Sequence, residues 1–118
     1  MNARPRWVVY GSSLSAERVR WAPWRACGGA WVAALRALRP DLELVNRSGW
    51  GWTSRDAVRA FGPRVLALQP VGVLLEFVIN DADVRRHCTN ESSAAHLDTL
   101  LRALAGANPG SRAAVLIP

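Results

Sequence analysis

The chain has 118 residues, half of them apolar, and a formal net charge of +6. This size predicts one domain over residues 1–118, large enough for a packed core but with little stability to spare. All 15 basic residues are arginines scattered along the chain, with Arg85-Arg86 as the one tight pair, which is not the clustered basic surface with an aromatic platform of a nucleic-acid binder.

Cys27 and Cys88 have no metal-ligand spacing and make no disulfide scaffold, so they read as free thiols in a reducing compartment. The apolar stretch near the start, "WVVY", is too short for a signal-peptide core. The longest apolar run, "VGVLLEFVI", is far short of a membrane span and carries Glu76. The expectation is a soluble, cytoplasmic protein with no membrane partner.

In chain order, the first element is the apolar run "RWVVY" (6–10), read as a strand that stops at "GSSL". The segment "WRACGGAWVAALRALRP" follows, with Trp24, Trp31, Leu35 and Leu38 at helical spacing and Pro40 as its stop. A second strand is expected at "LELVN" (42–46). A second helix opens with Ser54 as cap and Asp56 in its first turn, is kinked or restarted at Gly62-Pro63, and ends before Pro70. A third strand covers residues 71–79. The next helix carries a stripe of Leu97, Leu100, Leu101 and Leu104 and closes at Asn108-Pro109-Gly110. The run "RAAVLIP" (112–118) is the fourth strand. The first and last runs are nearly unbroken in apolar residues, which suits strands buried on both faces. Alternating strands and helices with short loops predict an α/β fold with a parallel, doubly wound sheet.

In such sheets ligands bind beyond the carboxyl ends of the strands. Three polar clusters fall there. After strand one come the hydroxyls of Ser12 and Ser13, which need a base to become nucleophilic. After strand two, "NRSGWGWTS" offers glycine N–H groups that a substrate can approach closely. After strand three, "INDAD" offers a carboxamide donor at a strand end. Backbone N–H groups and an asparagine together suit an oxyanion hole. Taken singly, each cluster reads first as an ordinary turn or helix cap; together, in successive loops at one sheet edge, they make a stronger case.

The order "GSSLS … NRSGWGWTS … FVIND" resembles the GDSL, or SGNH, hydrolase superfamily of esterases, lipases and acyl hydrolases. The resemblance implies a flavodoxin-like three-layer α/β/α fold, truncated here after the fourth strand. It implies Ser13 as nucleophile, with Ser12 standing where the family has aspartate. In the second block Asn46, Gly51 and Thr53 match, and Gly51 becomes the oxyanion-hole glycine. In the third block Asn80 becomes the third oxyanion donor, with Val78 at the family's glycine. Hydrolysis of a small-molecule carboxylic ester is implied, without metal or organic cofactor.

The family's last block, Asp-x-x-His, supplies the base and has no counterpart here. His96 reads as a helix-surface or partly buried residue, and His87, in the loop after Asn80 at the correct edge, is a weak substitute because two adjacent arginines and a flexible loop hardly hold an imidazole in place. Asp81 and Asp83 read as turn or cap residues. The chain is therefore expected to be the N-terminal part of a longer hydrolase, with a degenerate copy or a site completed in trans as the other options. The "AVLI" strand would lie at an uncovered sheet edge. Of six tryptophans, Trp7, Trp24 and Trp31 fit the core, and Trp21, Trp50 and Trp52 suit either an aromatic-walled pocket or partial packing. The rivals are a non-catalytic module binding a small molecule or a protein, and a phosphate or nucleotide binder, for which the loop after strand one has neither a G-x-G-x-x-G nor a P-loop pattern.

Overall fold

The computed structural model describes residues 3–16 and 29–116. Strand β1 is Arg6–Gly11, β2 Glu43–Asn46, β3 Gly72–Glu76 and β4 Arg112–Val115. Helix α1 is Ala30–Leu38, α2 Ser54–Arg64, α3 Val78–Ala82 and α4 Asn90–Ala107. All strand pairs are parallel and the order is β2-β1-β3-β4. The chain thus leaves β1 toward one side of the sheet and returns to the other, so the direction of winding reverses between β1 and β3. That is the switch point at which doubly wound sheets open a crevice at their carboxyl edge.

Alternation along the strands sorts the core into two layers. Val8 and Tyr10 of β1 and Val73 and Leu75 of β3 join Phe61 of α2 and Leu100 of α4 in the main cluster. Trp7 of β1, Leu44 of β2 and Leu74 of β3 face the other way, around Leu35 of α1. The result is the expected three-layer α/β/α sandwich. Tyr10 is fully buried among Trp52, Phe61 and Phe77, and its hydroxyl donates to the Ala57 carbonyl at 2.7 Å. Burial pushes its phenol well above the ordinary tyrosine range.

Several sequence expectations need correction. Strand β3 does not run to residue 79; its ladder with β1 ends at Gly11 opposite Glu76, and Val78 already lies in α3. Beyond that point an extended chain has no partner on β1, and a helical turn satisfies the backbone instead. Strand β4 is not buried on both faces. All four of its residues are exposed, because it pairs only with β3 at the edge of the sheet. The apolar stripe of α1 does not reach Leu38, which is 77% exposed, while Val32 is fully buried. Trp24 and Trp21 lie outside the described residues. Helix α2 is capped by Thr53, not Ser54: the Asp56 carboxyl accepts from the Thr53 N–H at 3.0 Å and hydroxyl at 3.3 Å. The helix continues through Pro63 and gives way to a single 3-10 turn at Leu66–Leu68. Among the described residues, no helix is long and apolar enough to cross a membrane.

Gly72 opens β3 directly beneath the Trp7 ring, and a Cβ there would sit 2.5 Å from ring carbons. Gly72→Ala is expected to lower stability by about 1–3 kcal/mol through this overpacking. In urea unfolding, part of the loss should return when Trp7→Leu is added.

Candidate active site

At the end of β1 the chain makes a tight turn, in which the Ser12 carbonyl accepts from the N–H groups of Ser15 and Ala16, both at 3.0 Å. The three serines of this turn differ in exposure: Ser12 and Ser15 are fully buried, and Ser13 keeps part of its surface open. Below the turn lies Glu76, the last residue of β3, which is 3% exposed. Its carboxyl accepts from the Ser12 hydroxyl at 2.9 Å on each oxygen, from the Ser12 N–H at 3.2 Å and from the Ser15 hydroxyl at 2.7 Å. Glu76 is the residue that sequence reasoning missed. The available signal was a lone acid inside an otherwise apolar strand.

The loop after β2 is bonded onto this turn. Asn46 donates from Nδ2 to the Ser15 carbonyl at 2.7 Å and accepts from the Ser48 N–H on Oδ1 at 3.0 Å. Gly11 donates to the Ser48 hydroxyl at 3.0 Å and accepts from the Gly49 N–H at 2.8 Å. Gly51 follows with φ +76°, a left-handed conformation that costs glycine least, and its carbonyl accepts from Arg86 Nη1 at 2.9 Å.

The third block is bonded onto the second. Asn80 sits on helix α3, not at a strand end as expected, and is half-buried. It donates from Nδ2 to the Trp52 carbonyl at 2.7 Å, one residue past Gly51, which leaves the second amide hydrogen uncommitted in this bond. Asp81 acts as a cap across elements: its carboxyl accepts from the Ser54 N–H at 2.8 Å, at the start of α2, and from the Ser93 hydroxyl of α4. Asp83 is the local partner of Arg85, whose guanidinium and backbone N–H hold its carboxyl at about 2.

The three blocks are therefore joined pairwise at the carboxyl edge of β1, β2 and β3. Among the described residues, the Ser13 hydroxyl, the Gly51 N–H and the Asn80 carboxamide are not bonded to one another. Neither imidazole is bonded to Ser13. His96 is half-buried on α4, and its Nδ1 shares a 2.9 Å hydrogen bond with the Ser54 hydroxyl. His87 is exposed with φ +53°, and its carbonyl accepts from Arg55 Nη2 at 3.2 Å. The tryptophans divide as well. Trp52 packs edge-on against Tyr10 with the Arg64 guanidinium 4.5 Å above its ring, so it belongs to the core, whereas Trp50 is 51% exposed.

The fold matches solved hydrolases. A lipase/acylhydrolase from Enterococcus faecalis aligns with a TM-score of 0.75 at 19% identity, covering 92% of this chain and 54% of that one. An acetylxylan esterase from Geobacillus stearothermophilus aligns at 0.73 and 23%, covering 97% and 59%. An alpha/beta hydrolase enzyme from the metagenome of Lake Arreo, Spain, aligns at 0.74 and 27%, covering 100% and 62%. The chain thus spans somewhat more than half the length of these hydrolases. The match establishes an α/β fold shared with hydrolases and agrees with the SGNH-type resemblance of the three sequence blocks. No protein-family model and no curated protein matches the chain. Catalytic mutants of the Geobacillus esterase replace a serine, an aspartate and, three positions after the aspartate, a histidine.

Asn46 holds the turn after β1 and its own loop through two hydrogen bonds. Asn46→Ala should destabilise the chain by about 1–2 kcal/mol, read by urea unfolding, and should loosen the amide protection of Ser48.

Proposed function

We propose that the chain is the nucleophile-bearing part of an SGNH-type serine ester hydrolase. The observation that carries this reading is the pairwise bonding of the three blocks at the switch point of the sheet. In this reading the Ser13 Oγ attacks the carbonyl carbon of a small-molecule carboxylic ester. The oxyanion that forms is held by the N–H groups of Ser13 and Gly51 and by Asn80 Nδ2. The Ser13 proton passes to a base and then to the departing alkoxide as the C–O bond breaks, and water releases the acid from the acyl-enzyme. Each donor would act on charge that exists only in the tetrahedral state, where removing one such donor typically costs about 10²–10³-fold in rate.

The reading takes its base from outside these 118 residues, since His96 is engaged by Ser54 and His87 is exposed among arginines. Without it, catalysis falls to the residual level that an oxyanion hole and binding supply. The histidine and aspartate named in the Geobacillus esterase mutants support a serine-histidine-aspartate scheme for the complete enzyme. A second reading, a non-catalytic module that binds a small molecule or a partner protein, draws on the same occupied imidazole and on the exposed Trp50 beside Gly51.

The two readings part at Ser13. A fluorophosphonate probe is expected to label the wild-type chain slowly at Ser13, as read by peptide mass spectrometry, and not to label Ser13→Ala. Asn80→Ala should slow labelling by about 10²-fold. A folded chain, lengthened to supply the base, that takes up no probe at Ser13 selects the binding module.

A further inference from the structure

A buried carboxyl group is an expensive way to end a strand. Val73, Leu74 and Leu75 precede Glu76 in β3, and an apolar residue at position 76 would avoid the desolvation of an acid that is 3% exposed. The glutamate is nevertheless well engaged, and among the described residues its side-chain partners belong to one short turn. Ser12 meets it through both its hydroxyl and its N–H, and Ser15 through its hydroxyl. Ser13 lies between these two anchored residues. The Ser12 hydroxyl also accepts from the Leu14 N–H at 3.3 Å, so the chain on both sides of Ser13 is tied to the same carboxyl.

The packing is built to admit this contact. Gly11 faces Glu76 in the register, and a Cβ on Gly11 would lie 2.8 Å from the Glu76 carbonyl and 2.9 Å from both its Oε1 and the Ser15 Oγ. Any larger residue there would push the turn off the carboxyl. From the far side, Asn46 holds the Ser15 carbonyl. The turn is therefore clamped between two strands, and of its three serines Ser13 alone keeps part of its surface open.

We propose that Glu76 is a positioning residue for Ser13: its carboxyl fixes the Ser12–Ser15 turn so that the Ser13 hydroxyl and N–H are presented at one angle toward the carboxyl-edge crevice. The proposal rests on the reading of Ser13 as a nucleophile. Glu76 does not touch the substrate in this scheme. Its effect is on the fraction of time that the hydroxyl spends in an attacking geometry, where a misplacement of about 1 Å can cost about 10²-fold.

The test compares the rate of fluorophosphonate labelling at Ser13 in wild type, Glu76→Gln, Glu76→Leu, Ser15→Ala and the control Val65→Ala. Val65 is fully buried at the end of α2 and is not part of the turn, so its loss lowers stability without touching the clamp. All variants are measured well below their melting temperatures. Glu76→Gln keeps the size and one acceptor oxygen, and should label about 10-fold more slowly than wild type; Glu76→Leu keeps no acceptor and should be slower still. Ser15→Ala should slow labelling by a few-fold, and it keeps the question answerable if the Glu76 variants do not fold. Val65→Ala should melt lower yet label at the wild-type rate. A merely structural role for Glu76 would make reactivity follow melting temperature across the set, and that pattern overturns the proposal. So do wild-type labelling rates in the folded Glu76 variants or, where these do not fold, in Ser15→Ala. If wild-type Ser13 takes no label even in a chain lengthened to supply the base, the nucleophile reading fails first and the positioning role goes with it. A labelled wild type with equally reactive variants removes the positioning role alone.

Discussion

The closing pair of the β1–β3 ladder, Gly11 opposite Glu76, is the constraint on which the carboxyl edge is built. A bare backbone on one strand and a buried carboxyl on the other occupy a space that a single methyl group would overfill. That close fit is what lets the chain leave β1 in a turn bonded directly to its neighbour strand. It also ends the ladder, so the chain beyond β3 turns into α3 and carries Asn80 back toward the loop after β2. The same Gly11 accepts from Gly49 and donates to Ser48, which draws the second loop to the same place. The loops after three strands are thereby held by backbone and side-chain bonds of 2.7–3.0 Å around one short turn.

Much of this fold is legible in the amino-acid order, because a parallel strand covered on both faces needs a continuous apolar run and its helices need breakers at Pro40, Pro70 and Asn108-Pro109-Gly110. What is not legible depends on neighbours. The run Phe77-Val78-Ile79 is as apolar as the strand it follows, and only the length of β1 decides where pairing stops. The apolar residues of β4 read as core, yet their exposure is set by having one partner strand instead of two. Thr53 and Ser54 are equally good caps by type, and the position of Asp56 relative to each chooses between them. The site is legible in the same uneven way. Ser13, Gly51 and Asn80 stand out by type and spacing at strand ends. Glu76 does not, because its role exists only once β1 and β3 are side by side.

The polar network around α2 shows why His96 is not a spare base. The Ser54 hydroxyl that it meets belongs to a residue 3% exposed, and the adjacent Ser54 N–H is already committed to Asp81. Withdrawing the imidazole would leave this buried hydroxyl with only a long 3.9 Å contact to the Cys88 thiol among the described residues. Asp81, Ser93 and Ser54 thus bind α2, α3 and α4 together at the end that faces the candidate site, and His96 is part of that joint.

His87 fails for a different reason, one of placement. It is exposed, and among the described residues its side chain is not bonded to Ser13. His87 follows Arg85 and Arg86 directly, and Arg55 reaches its carbonyl. Arg85 and Arg86 pair with Asp83. The same arginines suit another task. Arg86 donates to the Gly51 carbonyl at 2.9 Å. A cation bonded at the carbonyl helps keep the left-handed Gly51 backbone in place. The loop that leaves His87 exposed is therefore also the loop that steadies the Gly51 backbone beside the carboxyl edge.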